Sequence, residues 1–273
     1  MRASDLLLPL LLLSAVMTAE EPAVRLPPPM PADCPHHQVM QTMPPTWVGS
    51  EQIAMVVYPG MTALDLTGPQ YMFAGLMGAQ VHLVAESLIP VMTDTGVIIT
   101  PTKTFETCPQ DLDILFVPGG SRGTVEAAKD PRVLTFLRDR GSRAKLVTSV
   151  CTGSMVLGAA GLLDGYQATS HWVTRDLLTR FGAVPVDARV VVDRHRITGA
   201  GVSAGIDLGL LIVRRLRDEE YAKAMCLLAE YAPEPPVVAG TPAQAGPVTT
   251  KIMSDMCVGL REAFLTVPVP SRP

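Results

Sequence analysis

Short runs of apolar residues alternate with longer, more polar stretches along the middle of the chain. The runs are rich in branched residues and predict buried strands, at 53–58, 80–86, 113–117 and 146–148. Two pairs of shorter runs flank turn residues and predict hairpins, at 91–100 and 190–198. The intervening stretches predict helices, including 122–141, 173–181 and 206–216. This alternation indicates an α/β fold with a largely parallel sheet covered by helices on both faces.

The two ends of the chain differ from this middle part. Arg2 precedes an apolar run of leucines at 6–13, which is too short to span a bilayer and is typical of a signal peptide, predicted at 1–19. Residues 20–50 form a Pro-rich arm, and residues 237–273 form a Pro-rich tail with a short helix at 251–265. The globular domain is therefore predicted at 51–236, in a protein exported to the periplasm or the extracellular space.

The composition of the chain argues against some classes of binding partner. The formal net charge is −4 and only 5% of residues are aromatic, so neither a basic surface nor a base-stacking platform for nucleic acid is expected. No second apolar run is long enough for a membrane span, so no membrane association is expected after processing. A small molecule is the expected substrate.

Five cysteines leave at least one thiol without an intramolecular partner in an exported protein. We predict that Cys151 is the free thiol. A Cys34–Cys108 disulfide is one option, and Cys226 and Cys257 lie in helix-like sequence, but sequence does not establish the pairing.

Two stretches resemble ligand sites without matching one. Cys34, His36 and His37 in the arm are soft metal ligands, but their spacing fits no closed metal site, and a polar loop is the favoured interpretation. The glycine-dense segment 199–205 lacks the Lys and the spacing of a phosphate loop and predicts tight backbone packing. We therefore expect neither a cofactor nor a bound metal.

Cys151 stands where a predicted strand turns into a helix. Ser149 lies two residues before it and Gly153 two residues after it, as in a nucleophile elbow, where small residues relieve a crowded turn. The first amides of the following helix would favour a thiolate. The alternative interpretation is a buried cysteine that acts only as a small apolar residue.

Other polar residues follow strands of the same predicted sheet. Asp65 and the Gly119–Gly120 pair come after two of them, so topology places both beside Cys151 at the carboxyl edge. For Asp65 the alternative is a helix N-cap, which Pro69 at an early helical position would support. His171, next to Trp172, is interpreted as a pocket-wall residue.

Several motifs together resemble the ThiJ/PfpI superfamily, which has a class I glutamine-amidotransferase-like, flavodoxin-like fold. They are Ala63–Pro69, Phe116–Gly120, Ser149–Ser154, Ala160–Gly165 and Ala168–Trp172. Within the superfamily, the chain is most similar to the isonitrile hydratase subgroup. Family members usually form homodimers, so the resemblance implies a homodimer.

The resemblance also implies roles for individual residues. Cys151 would be the nucleophile, Asp65 the carboxyl group that moves protons, and Thr152 a neighbour that orients the site. The amides at Gly119 and Gly120 would donate to developing charge. Thr152 stands where the peptidases and glyoxalases of the superfamily have His, and the His-x-Glu pair of amidotransferases is absent, which argues against proteolysis and glutamine hydrolysis.

The resemblance therefore implies a cysteine-dependent hydro-lyase that converts isonitriles to N-substituted formamides. Two alternatives stay open: another cysteine-dependent enzyme of this fold acting on reactive carbonyls or amides, and a non-catalytic module that binds ligands or senses oxidants through Cys151.

Overall fold

The computed structural model describes residues 28, 31 and 35–270. The predicted signal peptide, Cys34 and the side chains of His36 and His37 lie outside the described residues. The chain divides into two compact units, residues 1–43 and 44–273. In the first, helix α1 (Pro35–Met40) leads into a turn in which Thr42 Oγ1 donates to the carbonyl of Val39 at 2.8 Å.

The second unit is built around a sheet of seven strands. Its described strands are β1 (Gln52–Val56), β2 (Gln80–Ala85), β3 (Val91–Met92), β4 (Ile98–Ile99), β5 (Lys103–Thr104), β6 (Ile114–Val117), β7 (Leu146–Val150), β8 (Gln167–Ala168), β9 (Val184–Pro185), β10 (Val190–Asp193) and β11 (Arg196–Gly199). The sheet order is β10-β11-β7-β6-β1-β2-β5, and all neighbours are parallel except β10 and β11. The largely parallel α/β sheet expected from the sequence is thus confirmed, as are the hairpins β3–β4 and β10–β11.

Helices flank this sheet. They are α2 (Ala63–Ala74), α3 (Arg122–Ala127), α4 (Pro131–Gly141), α5 (Gly153–Ala159), α6 (Ala204–Leu216), α7 (Glu219–Leu228), α8 (Pro242–Met256) and α9 (Val258–Leu265), with 3-10 helices at Pro45–Trp47 and Arg175–Phe181. Helices α2, α6 and α7 pack together, and α5 packs with α3 and α4. Strands β6 and β7 are buried along their whole length, which explains their continuous apolar sequence.

Helix α2 contains a proline. Pro69 lies inside the helix rather than at its start, although proline removes a helical hydrogen bond. Its ring packs on the backbone of α6: a Cβ on Gly205 would lie only 2.9 Å from the ring, so glycine allows this close approach. The glycine-dense segment before α6 therefore ends in tight backbone packing, as predicted.

The thiols and the C-terminal residues add two further observations. Cys108, Cys151, Cys226 and Cys257 are free thiols, and the suggested Cys34–Cys108 disulfide involves a residue outside the described ones.

The stretch predicted as a tail with one short helix contains both α8 and α9. No helix in the described part of the chain is long and apolar enough to cross a bilayer.

Candidate active site

Three loops meet where β1, β6 and β7 end. These strands are neighbours in the sheet and run in parallel, so the segments that follow them emerge at the same edge. The segment after β1 leads to Asp65, the segment after β6 carries Gly119 and Gly120, and β7 runs directly into Cys151. The topology thus brings together three stretches that are far apart in the sequence.

Cys151 occupies a sharp strand-to-helix turn. Its φ is +58°, in the left-handed region that residues with a side chain seldom adopt. Its N–H donates to the carbonyl of Ala200 at 2.7 Å, and its own carbonyl accepts from Ser170 Oγ at 2.9 Å. A Cβ on Gly153 would lie 2.3 Å from the carbonyl oxygen of Val117, so the turn has room only for glycine there. These are the features expected of a nucleophile elbow.

The carboxyl group of Asp65 lies beside Cys151. Asp65 is fully buried in the first turn of α2, where Thr62 is the N-cap residue, so Asp65 does not cap the helix. Instead its Oδ2 accepts from the N–H of Gly119 at 3.0 Å, while Oδ1 has no N–H or O–H partner among the described residues. The carboxyl group also interacts with the Cys151 thiol, which lowers its pKa.

Gly119 lies between the other groups of the site. A Cβ on Gly119 would be 2.8 Å from both Asp65 Oδ2 and Cys151 Cβ, and 2.5 Å from the amide nitrogen of Thr152. The carboxyl oxygen and Cys151 Cβ are therefore no more than twice 2.8 Å apart. Only a residue without a side chain allows this approach.

The amides expected to donate to developing charge already have partners. The N–H of Gly119 is bound to Asp65, and the N–H of Gly120 donates to Thr152 Oγ1 at 2.9 Å. The hydroxyl of Thr152 in turn donates to the carbonyl of Gly120 at 2.6 Å. In this arrangement Gly119 and Gly120 fix the positions of Asp65 and Thr152, and the amide directed at the sulfur is that of Thr152.

The electrostatics of the Asp65–Cys151 pair favour a protonated Cys151 thiol in the resting protein. Burial, followed by the charge of Asp65, raises the pKa of the Cys151 thiol well above its ordinary value, although the amide and hydroxyl of Thr152 oppose the rise. The sequence predicts that the first amides of α5 favour a thiolate, and the Thr152 amide acts in that direction. Burial of Cys151, which is only 5% exposed, acts against it and has the larger effect on the pKa.

The pKa of Asp65 moves in the direction expected from its burial. Desolvation raises it from 3.8 to about 7, and the charge of Asp94 adds to the rise. The hydrogen bonds from the Cys151 thiol and the Gly119 amide lower the same pKa in part. A carboxyl group with this pKa can both accept and donate a proton near neutral pH, as proton-transfer catalysis requires.

His171 lies near the elbow but outside the Asp65–Cys151 pair. It is half-buried and adjoins Ser170, which binds the Cys151 carbonyl, and a Cβ on Gly201 would be 3.6 Å from its ring. Burial lowers the pKa of its imidazole. A neutral ring at this position is compatible with the wall role expected for it.

Two supporting residues were missed at the level of sequence. The hydroxyl of buried Tyr58 donates to the carbonyl of Pro118 at 2.5 Å and so supports the turn that carries Gly119. Asp94, in the turn of hairpin β3–β4, accepts from Thr62 Oγ1 at 2.5 Å, at the N-cap of the helix that carries Asp65. Both act through long-range contacts that no local motif marks.

The site lies outside the clefts on the surface. A cleft of about 770 Å³ is lined by residues such as Tyr58, Phe105 and Val133, and by neither Cys151 nor Asp65. Among the described residues, no group of three or more His, Cys, Asp or Glu side chains is placed to hold a metal ion. The arrangement therefore places a nucleophile and a proton carrier side by side in a buried position.

Comparison with known proteins gives consistent results. The family model described as the DJ-1/PfpI family matches residues 51–215. The isonitrile hydratase of Pseudomonas putida is 48% identical over 191 residues, which cover 70% of this chain and 83% of the relative. A crystal structure of a THiJ/PfpI family protein from Pseudomonas syringae aligns with a TM-score of 0.80 and 53% identity, covering 87% of this chain and 96% of that one.

A more distant relative has a different function. The HTH-type transcriptional regulator GbdR of Pseudomonas aeruginosa is 27% identical over 197 residues, covering 69% of this chain but 53% of the regulator. The same domain thus occurs in relatives with different functions, so the function of this chain must be inferred from its own site.

Proposed function

The chain belongs to the DJ-1/PfpI family, and from that premise we propose that it hydrates isonitriles to N-substituted formamides, with Cys151 as the nucleophile. The observation that carries the proposal is the buried pair of a thiol and a carboxyl group whose pKa is about 7. The 48% identity to an isonitrile hydratase supports the same substrate class.

The first step uses the protonated resting state directly. An isonitrile carbon must gain both a proton and a nucleophile, and the thiol of Cys151 contains both. Asp65 takes the proton from sulfur and passes it to the isonitrile carbon while the sulfur bonds to that same carbon. The product is a covalent thioimidate, S–CH=N–R, and Asp65 finishes the step as it began.

The second step returns the enzyme to its starting state. Water adds to the carbon of the thioimidate, and Asp65 takes a proton from the water and passes it to the nitrogen, which leaves a hydroxyl group on the carbon. The carbon–sulfur bond then breaks as this hydroxyl becomes the carbonyl, and its proton passes through Asp65 to the sulfur, which releases the N-substituted formamide and restores the thiol. The sum is one isonitrile and one water converted to one formamide, with no oxidant or reductant required.

The surroundings suit this sequence of steps. The amide and hydroxyl of Thr152 favour negative charge on the sulfur while it attacks. An isonitrile presents a linear end group, which suits a cysteine that is only 5% exposed. Burial and a raised thiol pKa are unfavourable for an oxidant sensor, whose cysteine is typically accessible and acidic.

The test is a panel of isonitriles presented to the purified protein, with formamide measured by NMR. We expect turnover by the wild type and none above background for Cys151→Ala, while Cys226→Ser, a thiol outside the site, keeps wild-type turnover. α-Oxoaldehydes run in parallel test the alternative enzyme class. A wild type that converts α-oxoaldehydes but no isonitrile would overturn the proposal.

Export is a separate proposal that rests on residues 1–19 alone. Its test is the N-terminal sequence of the protein recovered from fractionated cells. We expect protein outside the cytoplasm that begins after residue 19, and intact protein confined to the cytoplasm would refute it.

A further inference from the structure

Asp65 is a buried carboxyl group with few partners. Its Oδ1 has no N–H or O–H partner among the described residues. None of the groups that shift its pKa within the described part of the chain is a cation. The ionised form is therefore stabilised by hydrogen bonds from the Gly119 N–H and the Cys151 thiol, which burial and the charge of Asp94 oppose. A residue that strengthens one of these bonds makes the carboxylate easier to form.

The bond from Gly119 belongs to a peptide group that is hydrogen-bonded at both ends. The carbonyl of Pro118 and the N–H of Gly119 are the two polar ends of one planar unit. The N–H donates to Asp65 Oδ2 at 3.0 Å, and the carbonyl accepts from the hydroxyl of Tyr58 at 2.5 Å. Tyr58 and Asp65 therefore lie on opposite ends of the same peptide group.

The direction of every bond in this series is fixed. A carbonyl oxygen only accepts, so Tyr58 gives its one proton to Pro118. The hydroxyl of Thr124, which lies 3.2 Å from the phenol oxygen, then donates to that oxygen. Burial raises the pKa of Tyr58 well above its ordinary value, so the phenol keeps its proton at neutral pH. The donors from Thr124 to the Gly119 N–H all point the same way, toward Asp65.

Hydrogen bonds arranged in such a series strengthen one another. A donor on the carbonyl oxygen of a peptide group polarises that group and makes its N–H a stronger donor, by about 10–30% per bond. The stronger N–H bond favours the charged carboxylate over the neutral acid. The hydroxyl of Tyr58 thus affects a carboxyl group that it does not touch.

We propose that Tyr58 is a positioning residue that acts on Asp65 through the peptide group between them. Its hydroxyl orients and polarises that group, so that the peptide N–H holds the carboxylate beside Cys151. The titratable groups that face this carboxyl group are Tyr58 after β1, Asp94 in hairpin β3–β4 and Cys151 after β7. Tyr58 and Asp94 act in opposite directions, and together they set the pH at which Asp65 can accept a proton. Only the catalytic part of this role rests on the proposed function.

The titration of Asp65 tests the proposal without any substrate. In protein labelled with ¹³C at the aspartate carboxyl carbons, the Asp65 resonance is the one that titrates near pH 7 and that Asp65→Asn removes. Tyr58→Phe keeps the ring and removes the hydroxyl. We expect it to move this titration to higher pH by a few tenths of a unit, because the N–H bond to the carboxylate weakens.

Tyr221→Phe is the matched control. The Tyr221 hydroxyl donates to the carbonyl of Gly75 at 2.7 Å, and the residue is 4% exposed, as Tyr58 is. This variant removes the same group at a distance from the site, so the titration of Asp65 should not change. A folded Tyr58→Phe protein in which Asp65 titrates at the same or a lower pH would overturn the proposal. An equal shift in Tyr221→Phe would overturn it as well.

Thr124→Val carries the test if Tyr58→Phe does not fold. Thr124 is fully buried, and valine keeps its shape while it removes the donor to the phenol oxygen. The phenol then becomes a weaker donor, so the titration of Asp65 should move in the same direction by a smaller amount. An unchanged titration in this variant would overturn the proposal.

Turnover separates the role of Tyr58 from the reaction itself. With isonitriles as substrates, the pH–rate profile of Tyr58→Phe should move to higher pH, since ionised Asp65 takes the proton of the thiol. A shifted titration in a protein that converts no isonitrile would refute the reaction and leave the role of Tyr58 standing. An unshifted titration in a Tyr58→Phe protein that converts isonitriles would refute the role of Tyr58 and leave the reaction standing.

Discussion

The loops around Cys151 and the C-terminal arm, residues 233–256, arrange their polar and apolar groups in opposite ways. At Cys151, the amides of Gly119 and Gly120 and the hydroxyl of Thr152 all bond within the same chain. On α8, Thr250 and Ser254 are half-buried, whereas Val248, Ile252 and Met256 are exposed among the described residues. The described residues therefore satisfy the polar groups of the site but leave apolar side chains of the arm exposed.

Asp65→Asn is expected to have the largest effect on turnover. The variant keeps the shape of the side chain but cannot carry a proton, and losing such a group typically lowers the rate by about 10²–10⁴-fold. Alkylation of Cys151 by iodoacetamide should nevertheless reach its midpoint at lower pH, because the charge of Asp65 raises the thiol pKa. Full turnover together with an unchanged alkylation profile would show that Asp65 is not the proton carrier.

Asp65→Asn should be more stable than the wild type although it is less active. The pKa of Asp65 is about 7 in the folded protein against 3.8 normally, so the unfolded chain ionises first and the wild type loses stability as pH rises through this window. At pH 8 Asp65→Asn should be more stable by up to about 4 kcal/mol, a difference that should vanish near pH 4. Urea unfolding at the two pH values measures this, and a variant less stable at pH 8 would contradict it.

Gly119→Ala tests how tightly the site is closed. The added Cβ would meet the Thr152 amide nitrogen, so the loop must move, and a displacement of about 1 Å can cost about 10²-fold in rate. Gly259→Ala is the control, because a Cβ there meets nothing within 4 Å. Steady-state turnover of both variants makes the comparison, and equal rates would show that the packing around Gly119 is not required.

Thr152→Val removes a hydroxyl that bonds both the N–H and the carbonyl of Gly120. Leaving these buried groups unpaired should lower stability by about 1–3 kcal/mol. Turnover should fall as well, since the hydroxyl also favours negative charge on the sulfur. Thr152→Ser should restore most of both properties in urea unfolding and turnover assays; if Thr152→Val matches the wild type, the bonds to Gly120 contribute little.

Asp94→Asn should produce a smaller change. The amide can still accept from Thr62, but the negative charge that raises the pKa of Asp65 is gone. The pH–rate profile should therefore move to lower pH at nearly unchanged maximal turnover. A profile that does not move would show that Asp94 acts only through its hydrogen bond.

The sequence predicts the centre of the molecule better than its periphery. The strand ending at Val150 and the small residues around Cys151 are local signals, and strand order alone brings Asp65 toward Cys151. The partners of the Gly119 and Gly120 amides depend on contacts between three loops, which no single stretch encodes. The supports from Tyr58 and Asp94 are missed for the same reason.

The C-terminal arm shows a different limit of sequence reasoning. Its prolines obscure the helical period, and Gly246 interrupts α8 with a non-helical backbone. Only the structure shows that Val248, Ile252 and Met256 lie together on the exposed side of α8. A pattern of side chains can indicate a helix, but it does not say whether the apolar side meets its own chain or another.

The left-handed backbone at Cys151 has an evolutionary consequence. An L-residue in that conformation is disfavoured by roughly 1–2 kcal/mol relative to glycine, so the fold alone would select Gly at this position. A lineage released from selection for its chemistry would drift toward glycine there and become more stable. A relative that retains cysteine on this turn is therefore one in which the sulfur is still in use.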